Sequence, residues 1–238
     1  MITSAVLCPS PPLLARELSG REPVLPELRD ACSDAAGRLA RTQPGVIIVV
    51  GPAAATAQWD PGGRLDLSAF APALATAGKP GLPLSLGLGA LLLDQADYSG
   101  ARILQAIGED EPAACLRLGA ELASSDARAA MLVMGDGSAR RTPAAPGAFD
   151  ERAAAFDAGV ERAVRDGDLG ALAAVDPALA RELMATGRPA WQVLAGAMPA
   201  PRPVTEVLYA DAPFGVAYLV ALLERPARQP GEDGEKED

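Results

Sequence analysis

The sequence predicts a layered α/β fold, and three observations carry that expectation. Short, almost wholly apolar runs end in turn formers: TSAVLCPSPP (3–12), VIIVVGP (46–52) and AAMLVMGDG (129–137). Runs of this length bounded by glycine and proline suit strands buried on both faces of a sheet. Between them, apolar residues recur every three or four positions, the spacing of an amphipathic helix. Aromatics are only 4% of the chain against 49% apolar residues overall, so the core must be packed from Ala, Val and Leu. Strands alternating with helices are the pattern of helices layered on a sheet.

Each element follows in chain order. After the first strand, Leu25, Leu28, Cys32, Ala35 and Leu39 form one stripe and predict a helix within 24–41, ahead of the strand at 46–52. Residues 83–88, PLSLGL, read either as a fourth strand feeding a short helix at Ala90–Gln95 or as buried helix. Ala114, Leu118 and Leu122 predict a helix over 113–123, and Phe149, Ala153, Phe156, Val160 and Val164 predict another after the third strand. Residues 168–198 read as two or three short helices punctuated by Asp168, Asp176 and Gly187-Arg188-Pro189. The last strands are expected at 203–211 and 214–220, on either side of Ala212-Pro213. Residues 1–224 are long enough for one well-buried domain. Residues 225–238, RPARQPGEDGEKED, have no apolar content to fold with and are expected to be a disordered acidic tail.

Composition excludes several classes of partner. The net charge is −10 and the only lysines are Lys79 and Lys236, so phosphate-rich nucleic acid and anionic membranes are repelled on average. Cys8, Cys32 and Cys115 are odd in number and widely separated, which fits neither a disulfide framework nor a zinc site and points to a reducing cytoplasm. The start MITSAVLCPSPP has no basic leader, and 82-LPLSLGLGALLL-93 is short of a membrane span. A homo-oligomer is left open.

A mostly parallel sheet brings the loops after its strands to one edge, where open α/β sheets hold ligands. Pro9–Pro12, Gly51–Thr56, Asp136–Arg141 and Asp211–Pro213 are expected to converge there on one pocket. The segment GDGSARR (135–141) has the look of an active-site rim, yet the chain contains no histidine. Serine triads and Cys-His dyads need an imidazole base and are excluded. Lys79 lacks the glycine spacing of a P-loop, and 87-GLGALLLD-94 lacks the third glycine of a dinucleotide fingerprint. Asp136 and Ser138 are the candidate reacting groups; the plainer alternative for Asp136 is a side chain that caps backbone amides. Arg140 and Arg141 are either an anion-binding pair or a solvated one. Cys8 reads as a small buried hydrophobe, and Trp59 and Trp191 as packing residues.

Four segments together, AVLCPSPPLL, VIIVVGP, GDGSAR followed by PGAFD, and LYADAPFGVAYLV, resemble the LigB-like superfamily, which includes class III extradiol ring-cleavage dioxygenases and Memo-like proteins. The similarity is most specific to the actinobacterial, class III extradiol dioxygenase-like members of unassigned role, and runs to about Glu224. The resemblance implies a three-layer α/β/α sandwich around a mostly parallel or mixed central sheet, with Fe(II) held by the loops at the strand ends. It also implies histidines after the first and second strands and in an Asp-x-Ser-His turn; here those positions are Ser10, Ala53 and Ala139. Asp211 lies in the region where the dioxygenases supply a carboxylate ligand.

A facial triad holds Fe(II) by two imidazoles and a carboxylate. With a hydroxyl and a methyl in their place, no iron cofactor is expected, and the acid/base matched to neutral pH is gone as well. Two readings follow. The first is a pseudoenzyme that keeps the cleft to bind a small molecule or a protein, with Cys8, Ser10, Ala53, Asp136, Ser138, Ala139, Arg140 and Asp211 as its lining. The second is an enzyme with altered, histidine-independent chemistry that uses Asp136, Ser138 and Arg140; it requires Asp136, Asp211 and an arginine around one cavity. An interaction scaffold would instead expose a large apolar patch.

Overall fold

The computed structural model describes residues 1–19, 24–74, 81–124 and 128–226. Its centre is four parallel, largely apolar strands that alternate their side chains between two covered faces. They are β1 (Ile2–Cys8), β2 (Val46–Pro52), β6 (Ala101–Ile107) and β7 (Ala129–Met134), side by side in the order β6-β2-β7-β1. Three antiparallel strands complete a seven-stranded sheet among the described residues: β3 (Ala57–Trp59) beside β6, then β9 (Tyr218–Glu224) and β8 (Val204–Asp211) beyond β1. A separate two-stranded pairing joins β4 (Arg64–Leu65) to β5 (Gly81–Leu82).

Strand β2 shows why the sheet needs helices on both sides. Ile47 and Val49 join one core with Leu28, Cys32 and Leu39 of α1 (Pro26–Arg41) and Leu86 and Leu93 of α2 (Leu84–Gln95). Ile48 and Val50 join the other with Cys115 of α3 (Pro112–Ala123), Val160 and Val164 of α4 (Arg152–Arg165), Leu172 of α5 (Leu169–Ala173) and Trp191 of α7 (Arg188–Ala197). The protein is therefore a three-layer α/β/α sandwich around a mixed, mostly parallel sheet. No helix among the described residues is long and apolar enough to cross a membrane.

Local chemistry fixes the helix ends. Pro26 and Pro112 open α1 and α3 at positions where the missing N–H costs nothing. Asp168 accepts from Ala171 N at 3.0 Å to cap α5, and Asp176 accepts from Ala178 N at 2.8 Å to cap α6 (Pro177–Glu182), as their punctuation in the sequence predicts. Helices α3 and α7 cross backbone to backbone, because a Cβ at Gly119 or Gly196 would collide with the carbonyl of Val193 or Leu116.

Several expectations are corrected. Of the two readings of residues 83–88, buried helix is the one observed: α2 covers 84–95, and its apolar residues are buried on several sides, which hides the helical period. The strand between α2 and α3 is β6, unread because Arg102 and Gln105 interrupt its apolar run. Both are satisfied locally, Arg102 by Asp94 Oδ1 at 2.6 Å and the buried Gln105 by the Ala106 carbonyl at 2.9 Å. Strand β9 begins at Tyr218 rather than Phe214, since Pro213–Gly215 form a single 3-10 turn. Phe149 precedes α4 and is exposed instead of joining its stripe. Residues 227–238 of the expected tail lie outside the described residues, but Arg225 belongs to the fold, its N–H donating to the Thr3 carbonyl at 2.9 Å and its guanidinium to that of Ile2 at 3.1 Å.

Candidate functional site

Parallel register puts Cys8, Pro52, Ile107 and Met134 at one edge of the sheet. Strand β7 lies between β1 and β2, so its following loop, 135–141, occupies the middle of that edge. Gly135 allows the loop to leave flat against the start of α7: a Cβ there would strike the Cα of Gly187. The loop is then fixed by backbone bonds, Gly135 N to Cys8 O (2.9 Å), Gly137 N to Ala217 O (2.8 Å) and Ala139 N to Leu183 O (3.0 Å).

Asp136 projects towards the loop after β1, where its Oδ1 accepts the backbone N–H of Ser10 at 2.7 Å. Asp136 does cap a backbone amide, but not within an Asx-type turn of its own loop: the amide belongs to a segment 126 residues away. Burial in low-dielectric surroundings raises its pKa to about 6, opposed in part by the Ser10 N–H. Burial first, and the Asp136 charge second, pushes the Tyr218 phenol up as well.

Ser138 is fully buried and faces away from Asp136. Its N–H donates to Asp157 Oδ1 at 2.8 Å and its hydroxyl to Asp157 Oδ2 at 2.6 Å. Arg141 completes this cluster, with Nη1 3.2 Å from Asp157 Oδ2. Arg140 turns elsewhere: Nε donates to the Gly147 carbonyl at 2.7 Å and Nη1 to that of Glu182 at 2.9 Å. The two arginines are therefore engaged separately and are not a solvated pair.

Beside the Asp157 cluster is a cavity of about 190 Å³ between α4, the loop and the open end of the β8–β9 hairpin, lined by Arg141, Asp157, Glu161, Trp191 and Asp211 among others. Of the predicted lining, Asp211 reaches this cavity, whereas Cys8, Ser10, Ala53, Asp136, Ser138, Ala139 and Arg140 do not. The loop after β2 is drawn the other way, with Ala53 N donating to Ile107 O at 2.9 Å and Thr56 bonded to Asp110. The four strand-end segments thus do not form a single pocket. Asp157 and Glu161 went unread because charged residues on an amphipathic helix look like its solvated face.

The side chains present do not fit a ferrous triad. Serine, alanine and alanine stand at positions 10, 53 and 139. Cys8 is buried, and its hydrogen bond with Cys32, reinforced by burial, raises its pKa well above the ordinary thiol value, which disfavours the thiolate that binds metals. Asp136 and Asp211 do not line a common cavity, and among the described residues no three Cys, Asp or Glu side chains group as an ion site.

No family model matches the chain, and no curated protein matches it in sequence. Among solved structures it is similar to the crystal structure of the uncharacterized protein JW3007 from Escherichia coli K12, with a TM-score of 0.57 and 14% identity over 94% of this chain and 100% of that one. A likeness at that identity concerns the fold alone: both chains share the layered α/β architecture over nearly their whole lengths.

Proposed function

We propose that this chain is a histidine-free, LigB-like protein that has lost the non-haem iron site and uses the strand-edge region to bind a small molecule without ring-cleavage chemistry. The observation that carries this reading is the state of Asp136. In an iron site a carboxylate needs neighbouring nitrogen donors to hold the metal. Here it bonds the amide of Ser10, at one of the positions where the resemblance implies a histidine, and Ala53 and Ala139 occupy the others. The Ser138–Asp157–Arg141 cluster supports retention of a shaped, rigid pocket wall.

The experiment is oxygen uptake by anaerobically Fe(II)-treated protein with a panel of catechols. No catechol-dependent uptake above the iron-only blank is expected; saturable uptake with a ring-opened product would overturn the proposal.

The pKa of Asp136, raised to about 6, favours one alternative, an aspartate base acting without histidine. Its geometry argues against the arrangement that alternative requires, because Asp211 and Arg141 line a cavity that Asp136 does not.

A further inference from the structure

The cavity beside α4 is built for a ligand of definite charge pattern. Its volume of about 190 Å³ exceeds the ~150 Å³ that takes up one benzene ring and scales to about eight enclosed non-hydrogen atoms, with the rest of a larger ligand in its open mouth. Two side chains at its wall carry N–H donors that the protein does not take up. Trp191 is only 3% exposed, yet among the described residues no acceptor takes its indole N–H. Among the described residues the fully buried donors left without a partner are Trp59 Nε1 and Arg188 Nε, whereas Trp191 Nε1 opens to the cavity, where water or a bound acceptor can take its N–H. Arg141 gives only Nη1 to Asp157, which leaves the rest of its guanidinium fork available.

The lining as a whole is nevertheless acidic. Asp157, Glu161 and Asp211 face one guanidinium, and both oxygens of Asp157 are already committed to Ser138, with Arg141 shared on one of them. Asp211 is exposed and accepts only the N–H of its neighbour Ala212, at 2.7 Å, so its second oxygen is open to a cation. Glu161 is paired with Arg165 one turn along α4. A simple anion meets the donors but is repelled by the surplus carboxylates. A simple cation meets Asp211 but makes no use of the indole N–H or of the free part of the Arg141 guanidinium, both of which are left to water.

We infer that this cavity binds a small zwitterion, a molecule bearing one carboxylate and one ammonium group on an apolar body of amino-acid size. Its carboxylate is taken by Arg141 and Trp191, its ammonium by Asp211, and its body lies along the apolar stretch of α4 between Ala154 and Val160. The inference rests on the reading that the strand-edge region binds rather than catalyses, and it adds the class of ligand.

Calorimetric titration of the full chain tests it, using leucine and phenylalanine, and the same carbon skeletons lacking either the amino group (4-methylpentanoate, 3-phenylpropanoate) or the carboxylate (isopentylamine, phenethylamine). Saturable binding of at least one amino acid is expected, with both single-charge analogues weaker by about tenfold or more, the scale of one lost charge-assisted hydrogen bond. Arg141→Gln should reduce affinity for the amino acid by a similar factor. Asp211→Asn, at an exposed position whose removal does not threaten the fold, should do so while bringing the carboxylate-only analogue level with the amino acid. No saturable heat with either amino acid, or single-charge analogues that bind as tightly, would overturn the inference. Ring cleavage of catechols is read separately by oxygen uptake, so failure here leaves the loss of iron chemistry standing, and the reverse.

Discussion

An aspartate pressed into a low-dielectric pocket with one amide to satisfy it is a balance between two opposed effects, and at Asp136 burial wins. The folded state therefore holds this proton to about 6, whereas an unfolded aspartate releases it near 3.9. Below the lower value both states are protonated and Asp136 costs nothing; as pH rises from there to about 6, stability falls; above that the full penalty remains, about 2 to 3 kcal/mol before solvent screening reduces it. Asp136→Asn keeps an acceptor for Ser10 and removes the charge. It is predicted to raise the melting temperature at pH 7 and leave it unchanged at pH 3.5; equal shifts at both pH values, or a loss at pH 7, would contradict the assignment. Ser138→Ala removes the 2.6 Å bond to Asp157 and leaves a partly buried carboxylate with fewer donors. The expected cost is about 1.5 kcal/mol, read from the urea midpoint at unchanged slope. The sequence marked Asp136 and Ser138 as the residues to watch, but assigned both to one site. Nothing local to GDGSARR reveals that one side chain reaches back to Ser10 and the other forward to Asp157, because both partners are supplied by the topology.

At the scale of elements, the closest approach is the crossing of α3 and α7, where Gly119 and Gly196 let two backbones touch. Gly196→Ala must push the helices apart, and is predicted to destabilise by about 1–3 kcal/mol despite the better helix propensity of alanine. A neutral or stabilising result would show that the crossing is looser than described. Arg188, fully buried at the start of α7, ties the same helix to the loop after β6 through Glu109 at 2.8 Å and the Asp110 carbonyl at 2.5 Å. Elements whose burial matches their period were legible: β1, β2, β7 and α1 appear where the apolar runs and the stripe predict. Those that break the match were not. In α2, PLSLGL alternates large and small residues as a strand does, but the small ones let the helix approach Leu65 and Val49. In β6, an arginine and a glutamine within the strand are neutralised by partners no local pattern announces.

For the whole molecule, four parallel strands deliver their following loops to one edge, and the antiparallel β8–β9 hairpin adds a wall beside the loop after β7. The fold class follows from sequence pattern, since alternation of strand and helix admits few layered arrangements. The site follows less well, because its members come from the loop after β7, α4, α7 and the hairpin end, four segments joined only by the tertiary structure. What the sequence does settle is the lack of imidazole: a chain without histidine brings no such donor to this edge, and the Cys8 thiol there is buried with its pKa raised well above the ordinary value. The most direct test is the iron retained by the purified chain after anaerobic loading with ferrous ion and desalting, measured by elemental analysis. Iron at the level of a blank protein is expected; retention near one equivalent per chain would contradict the proposal that no iron site is retained.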